Sequence, residues 1–472
     1  MPPTPYDEFP YESLPYEETH PDRIAAIAVL HGLEPPRPST ARVLELGCGS
    51  GANAVATAYA YPHARVVGID LAETAIAEAS ALAAEVGAPN ATFAAADLAE
   101  LADGRLGEFD YVVAHGVYAW VPPATREALL EAARAHLSEH GVAYVSFNSQ
   151  PGGHFRRALR DLALWWVRDV ADEGERAERA RALFDELYDL RASDDPYGSL
   201  LGRELDALRK SATYLIHDLL SDHWRPVWFH EFAAAAARHG LRYVAESRFE
   251  RLRDGHWPDG VEARLDALAG GDRIARTQLG DVLGFERFRA TLVCHARRDV
   301  ADRPDLTRIE RLRLRIQAPP REEDPEPVRA ALAALLERAP RPVPFAELHA
   351  ATGGDAGALA RALYDAAYRG QVAMHLDPPE IGDPRAERPL VSAFARRQAA
   401  RGGVTGTLYN RSIGVSGETE RRLLTLLDGT RDRDEVLAAL GADGRPALTR
   451  DALDATLVDL AGVGLLAPAR DG

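Results

Sequence analysis

The 472-residue chain predicts an α/β protein: a parallel sheet covered on both faces by helices, interrupted by a helical insertion and followed by smaller α+β units. Three observations carry that expectation. Between Arg42 and Phe147, short apolar runs alternate with stretches of helical period, the pattern of strands buried on both faces. A glycine-rich turn, "GCGSGAN", joins the first run to the first helix after it. Beyond residue 305, triplets of short helical stretches end in an apolar run.

Taken in order, "DRIAAIAVLHG" (22–32) repeats apolar positions at helical spacing and stops at Gly32, and "LEPPRPST" cannot continue it. Strands follow at 42–46, 65–69, 91–96, 109–114 and 142–147, separated by helices ending at Ala60 and covering 74–87 and 126–138. From Phe155 to about residue 222 the pattern is helical and richly charged, which marks an insertion. The α/β rhythm resumes in "FHEFAAAAARHGLRYVAESRF", a helix ended by Gly240 and then a strand, and in "FRATLVCHA" (288–296). These two strands are expected to complete the same sheet, while 252–284 gives only a weak helical signal. In the tail, "VRAALAALLERAP", "FAELHAATG" and "DAGALARALYDAAYRG" precede the strand-like "QVAMHL", and three more helical stretches repeat the plan. Helix, helix, helix, strand predicts winged-helix-like folds, a tandem pair.

Composition narrows the partners. Asp and Glu (72) outnumber Lys and Arg (55), for a formal charge of -17, so the chain offers no field that gathers nucleic acid. The third helix of each tail unit agrees: Arg361 and Arg369 stand against Asp365, and Arg450 against Asp451, Asp454 and Asp459. Protein docking or dimerisation is the favoured use of the tail, which leaves a homodimer open. Cys48 and Cys294 belong to no CxxC pair or His/Cys cluster, so no metal site is expected and the compartment is read as reducing. The opening segment has no basic and apolar leader, and no apolar run reaches the ~18 residues of a membrane span; the expectation is a cytoplasmic protein.

In "VLELGCGSGAN", Gly47, Gly49 and Gly51 let the chain turn tightly and let a ligand lie against the backbone. Gly47, Gly49 and Ala52 also satisfy a dinucleotide pattern, and Asp70 ends the second strand where either ligand wants an acceptor for ribose hydroxyls. Two carboxylates favour S-adenosylmethionine. Glu45, in an otherwise apolar strand, suits a cationic amine and would oppose a pyrophosphate. Asp97 closes the third strand where an adenine amine wants an acceptor, with Leu98 beside it for the ring. Each acid alone also fits a loop end or a helix N-cap. Asn53 and Leu71 complete the expected cofactor set.

The phrases "PYEETHPDRIA", "RVLELGCGSGAN", "VVGIDLA", "FDYVVAHGVYAWVPP", "VAYVSFNSQPGG" and "FHEFAAAAARHGLRYVAES" resemble class I S-adenosylmethionine-dependent methyltransferases. More narrowly, they resemble bacterial protein-lysine methyltransferases of outer-membrane proteins that carry a methyltransferase regulatory domain. The resemblance covers roughly residues 6–297, and "HGVYAWVP" is its most specific phrase; the tail resembles the winged-helix part of the same group. It implies a seven-stranded sheet whose last strand runs antiparallel, S-adenosylmethionine as donor, S-adenosylhomocysteine as product, and a protein or peptide acceptor. Two departures stand out: small residues in "GANAVATA", and no aromatics around Pro151 and Gly152 in "NSQPGG". The expected domains are 1–154 (lid and cofactor core), 155–222 (insertion), 223–297 (last strands and regulatory region), 305–385 and 386–472 (winged-helix-like units).

Methyl transfer needs alignment, dry walls and electron-rich surface near a sulfonium. The mouth of the fourth strand offers His115, Tyr118 and Trp120. Tyr118 is the expected acceptor contact. His115, counted with the cofactor set too, either orients the acceptor and takes its proton or bonds to backbone; Trp120 either touches the acceptor or anchors packing. Asn148 either accepts from an amine or forms the turn before Pro151. Tyr6, Tyr11 and Tyr16 suggest a lid, and His20 belongs to it or fixes the junction with the next helix. Lysine nitrogen on a protein is the expected acceptor; the alternatives are a natural-product N- or O-methyltransferase and a regulatory module that binds the donor without turnover.

Overall fold

The computed structural model describes residues 13–193, 195–209, 215, 219–221, 223–252, 256–442 and 448–469. Tyr6 and Tyr11 lie outside the described residues. One sheet contains β1 (Arg42–Leu46), β2 (Arg65–Asp70), β3 (Ala91–Ala95), β4 (Phe109–Ala114), β5 (Leu137–Asn148), β6 (Leu241–Glu246) and β7 (Phe288–His295) in the order β3-β2-β1-β4-β5-β7-β6. The first five pair in parallel, and β7 runs antiparallel to both β5 and β6. Strand order reverses on the two sides of β1, so a crevice opens beyond the carboxyl ends of β1 and β4.

The apolar runs explain the layers. In β1 all but the first residue are buried, and β4 is buried throughout, so neither face can meet water. The helix Pro21–Leu30 covers one face so completely that only Arg23 escapes burial. The helices Gly153–Trp166, Glu173–Leu190 and Pro196–Leu208 form the insertion around their own apolar cluster, which includes Leu159, Phe184 and Leu205. The weakly helical stretch after β6 folds as Val261–Ala269 and Arg273–Leu283; its signal is weak because Gly270 and Gly271 divide it into two short pieces, the second capped by Asp272.

In the tail, helices Glu326–Leu336, Phe345–Thr352 and Ala356–Tyr368 pack with β8 (Arg313–Ile316), β9 (Val343–Pro344) and β10 (Val372–His375). Helices Glu418–Leu426, Arg433–Gly441 and Arg450–Val463 build the second unit around Leu424, Val436 and Leu457. Between them lie the helix Ala393–Arg401 and a hairpin of β11 (Gly403–Gly406) and β12 (Ser412–Val415), for which periodicity gave no signal. The first tail unit does not hang free: one apolar cluster runs from Ile24 and Tyr111 through Leu314 and Leu363 to Leu408.

A buried polar joint pins this contact. Asp22 Oδ2 lies 2.6 Å from His375 Nδ1, and Oδ1 accepts from the N–H groups of Leu376 (2.8 Å) and Asp377 (2.6 Å). Burial pushes the Asp22 carboxyl up, but His375 and these donors outweigh it and hold it below the usual range. Asp22→Ala strips three donors, one of them on the buried His375 ring, of their acceptor and is expected to lower the unfolding free energy by about 2–4 kcal/mol, measured by denaturant titration.

Candidate active site

A cleft of about 640 Å³ occupies the crevice. Its floor begins with Glu45, whose carboxyl is 5% exposed in the middle of β1 and accepts one hydrogen bond, from Asn53 Nδ2 at 3.1 Å. Burial pushes this carboxyl up to about 8, the Asn53 bond lowers it, and the charge of Asp70 raises it further. Asn53 Oδ1 in turn faces the backbone N–H of Tyr16 (3.0 Å), the hydroxyl of Thr19 (2.8 Å) and Asn410 Nδ2 (3.2 Å). A backbone N–H can only donate, so the atom facing Tyr16 must be the carbonyl oxygen, and the amide nitrogen must face Glu45.

The glycine turn is held from β2. Gly47 and Cys48 donate their N–H groups to the Ile69 carbonyl at 2.8 and 3.0 Å. Asp70 accepts from Gly49 N–H at 2.8 Å with one oxygen and from Ala72 N–H at 3.0 Å with the other. Each oxygen keeps a lone pair for a ligand hydroxyl. Gly49 has φ of +53° and open space where a Cβ would stand, so the ligand can approach its backbone there. Gly51 does not line the cleft: a Cβ on it would lie 2.6 Å from Ala79 and 3.0 Å from Phe93, so this glycine serves helix–sheet packing, a correction to its expected ligand role.

Asp97 caps the turn Leu98–Leu101 through Ala99 N–H (2.9 Å), as its N-cap reading expects, and it also lines the cleft. Leu98 and Leu71 stand nearby on the lining, and Leu71 is left 41% exposed. An apolar side chain between two ligand-facing acids is the surface an adenine ring would cover.

Beyond the donor end, His115 stacks on Tyr16 with ring centroids 3.8 Å apart and an interplanar angle of 23°. Its Nδ1 lies 2.9 Å from the Tyr144 hydroxyl. Burial lowers the ring to about 4, the charge of Glu18 raising it and that of Arg248 lowering it again, so it is neutral at pH 7. Trp120, Asn148, Trp224, Arg287 and Phe288 line the same cleft; the Trp120 and Trp224 rings are 5.8 Å apart, and Trp224 Nε1 donates to Asn148 Oδ1 at 3.2 Å.

Two further expectations are corrected. Tyr118 points away from the cleft, packed edge-on against Phe232 (5.2 Å) with Phe147 and Arg126 beside it. After Gly116 the chain makes a tight turn, closed by Trp120 N–H on the Val117 carbonyl, which puts 117, 120 and 121 on the cleft side and 118 and 119 on the core side. His20 is buried outside the cleft, its Nε2 3.1 Å from the Leu408 carbonyl and its ring between Tyr61 and Tyr409. It therefore fixes the junction and does not touch the acceptor. Sequence reasoning missed Trp224, Arg287 and Phe288; "HWRPVW" put two of the chain's six tryptophans in one short stretch, the signal that was available for Trp224.

The comparisons with known proteins agree with this fold. Residues 43–141 match the family described as "Methyltransferase domain", 211–295 that described as "Predicted methyltransferase regulatory domain", and 387–471 that described as "PKMT, C-terminal winged helix domain". The uncharacterized protein RP028 of Rickettsia prowazekii is 30% identical over 235 residues, 49% of this chain and 94% of that protein. The chain belongs to the class I S-adenosylmethionine-dependent methyltransferases with a methyltransferase regulatory domain. It is also 35% identical to the uncharacterized protein RP789 of the same organism over 293 residues, 62% of this chain, and spans about half (52%) of that relative's length. PKMT2 from Rickettsia typhi, solved in complex with AdoHcy, shares the fold across 97% of this chain and 100% of that one, with a TM-score of 0.82 at 22% identity.

The cofactor of this family is S-adenosylmethionine, and the residues present fit it. Glu45 is a buried carboxyl whose pKa of about 8 asks for a cation; the cleft supplies hydroxyl acceptors at Asp70, an acceptor at Asp97 and an apolar surface at Leu71. Without donor, Glu45 is protonated below about pH 8, and a cationic amine favours its ionised form. Donor affinity is therefore expected to rise by up to about tenfold per pH unit toward about pH 8, beyond which the donor's own amine loses its charge, measured as Kd by calorimetry. Asp70→Ala, which frees the glycine turn as well as a ligand contact, is expected to weaken donor binding by about 100-fold, whereas Tyr118→Phe leaves the Kd within about twofold.

Proposed function

We propose that the protein transfers a methyl group from S-adenosylmethionine to nitrogen on a protein or peptide, with the lysine amine as acceptor. The observation that carries this reading is that Tyr16, His115, Trp120 and Trp224, with Asn148, line the same cleft as Glu45, Asp70 and Asp97. The donor supplies a methyl carbon made electrophilic by its bond to a sulfonium. An amine lone pair forms the new N–C bond as the C–S bond breaks, so the amine must enter neutral. Removal from water favours the neutral amine, while the aromatic walls receive its alkyl chain and attract the positive charge that develops on nitrogen as the bond forms. His115, with a pKa of about 4, cannot hold a proton taken from an amine at pH 7; its use is to accept a hydrogen bond that aims the neutral nitrogen, the proton having passed to water. The family description at 387–471 and the name of the Rickettsia typhi structure support a protein acceptor.

A small carboxylate acceptor is a second reading, favoured by Arg156 and Arg287 on the same lining. Both arginines, however, reach the one buried carboxylate of Glu204, which offsets part of their positive charge.

Mass spectrometry of a lysate treated with the enzyme and methyl-labelled donor is expected to show label on protein lysine; label confined to small carboxylates would overturn the reading in favour of the second. His115→Phe, which keeps the stack on Tyr16, is expected to lower kcat about 100-fold with donor Kd nearly unchanged. Transfer by the unaltered enzyme should rise with pH through the neutral range, with no limb belonging to His115 above pH 5.

A further inference from the structure

We propose that Asn410, carried by the hairpin of the C-terminal unit, is a positioning residue for the donor site that fixes the Glu45 carboxyl through the amide of Asn53. The inference rests on donor binding at Glu45 and extends that site to a segment 357 residues away from Asn53 in sequence.

Asn410 is fully buried, lies in the turn between β11 and β12, and adopts φ of +54°, a conformation that non-glycine residues rarely take and that asparagine tolerates better than most. Its Nδ2 donates to Asn53 Oδ1 at 3.2 Å and to the Thr57 hydroxyl at 2.8 Å. The orientation is forced from the other end. Tyr16 N–H fixes Asn53 Oδ1, so the Asn410 atom facing it must be a donor. Without that donor, and with the Thr19 hydrogen shared between Asn53 Oδ1 and the Tyr16 carbonyl (2.7 Å), the Tyr16 N–H is left as the one undivided donor holding the Asn53 oxygen away from Glu45, and the hold weakens. An oxygen facing that carboxyl would oppose its ionised form, the form a cationic ligand needs. Small residues on the helix Ala52–Ala60 let the hairpin approach this closely, and Tyr59 and Thr57 of that helix bond to Ala393 N–H and Asn410 across the joint. Seating of the hairpin and donor binding are then reciprocally linked: whatever favours one favours the other by the same factor.

The full chain with Asn410→Gly and with Asn410→Asp tests this, because glycine and aspartate both accept the left-handed backbone. S-adenosylmethionine Kd is expected to rise about fivefold in the glycine variant and at least about tenfold in the aspartate variant at pH 7, with kcat at saturating donor unchanged in both. In the aspartate variant, the rise of affinity with pH should also shift to higher pH, since a second carboxylate beside Asn53 opposes ionisation of Glu45. Folded variants with the affinity and pH profile of the unaltered protein would overturn the proposal, whereas an unaltered protein that bound no donor would instead overturn the reading of the cleft. In the unaltered protein, saturating S-adenosylhomocysteine should slow hydrogen exchange in the segment 403–415; unchanged exchange there would contradict the linkage even if neither variant folds.

Discussion

The architecture of the site depends on one side-chain amide. Asn53 stands at the start of the helix after the glycine turn and has its oxygen committed to a backbone donor, which leaves its nitrogen for the only carboxyl inside β1. That single orientation ties together the segment before the first helix, the central strand and the hairpin of the tail. A carboxyl buried to this degree is costly to ionise, so its value lies in what neutralises it. The cleft floor is thus an incomplete ion pair, and the rest of the fold holds the incomplete half in place.

The two halves of the cleft have different origins. The donor half is built from the carboxyl ends of β1, β2, β3 and β4, rigid positions in a sheet buried on both faces, and its ligand-facing groups are held by backbone donors at Gly49, Ala72 and Ala99. The acceptor half comes from segments the sheet does not fix: Tyr16 before the first helix, Trp224 after the insertion, and Arg287 and Phe288 entering β7. These meet because Arg225 N–H reaches the Ala119 carbonyl and Ser149 N–H the Arg287 carbonyl, at 2.9 Å each. On the function proposed here, loops would set the choice of acceptor and the sheet the donor, a division common in α/β enzymes.

The same division governs what could be read beforehand. Strands β1 and β4 were legible to the residue because apolar runs flanked by turn formers leave little freedom in their limits. The expected donor acids were legible as cleft residues because each stands at or near the carboxyl end of a strand, Glu45 one residue before the end of β1, Asp70 at the end of β2 and Asp97 two residues beyond β3, and strand ends gather at one edge of such a sheet. Tyr118 was not, because the turn after β4 changes the period from alternation to a helical spacing, which exchanges the sides on which 118 and 120 fall. The role of His20 depended on Tyr409 and Leu408, and that of Asn53 on Asn410, contacts made across most of the chain and left unmarked by any local pattern. The hairpin that supplies them carries no periodicity strong enough to announce a strand.

Proton release on donor binding tests the central claim most directly. Calorimetry with S-adenosylmethionine at pH 7, repeated in buffers of different ionisation enthalpy, should report about one proton leaving the protein for each donor bound, and none from a folded Glu45→Gln variant. Tight binding by the unaltered protein with no proton released would mean that Glu45 is already ionised in the empty cleft, and the picture of a buried carboxyl waiting for a cation would be wrong.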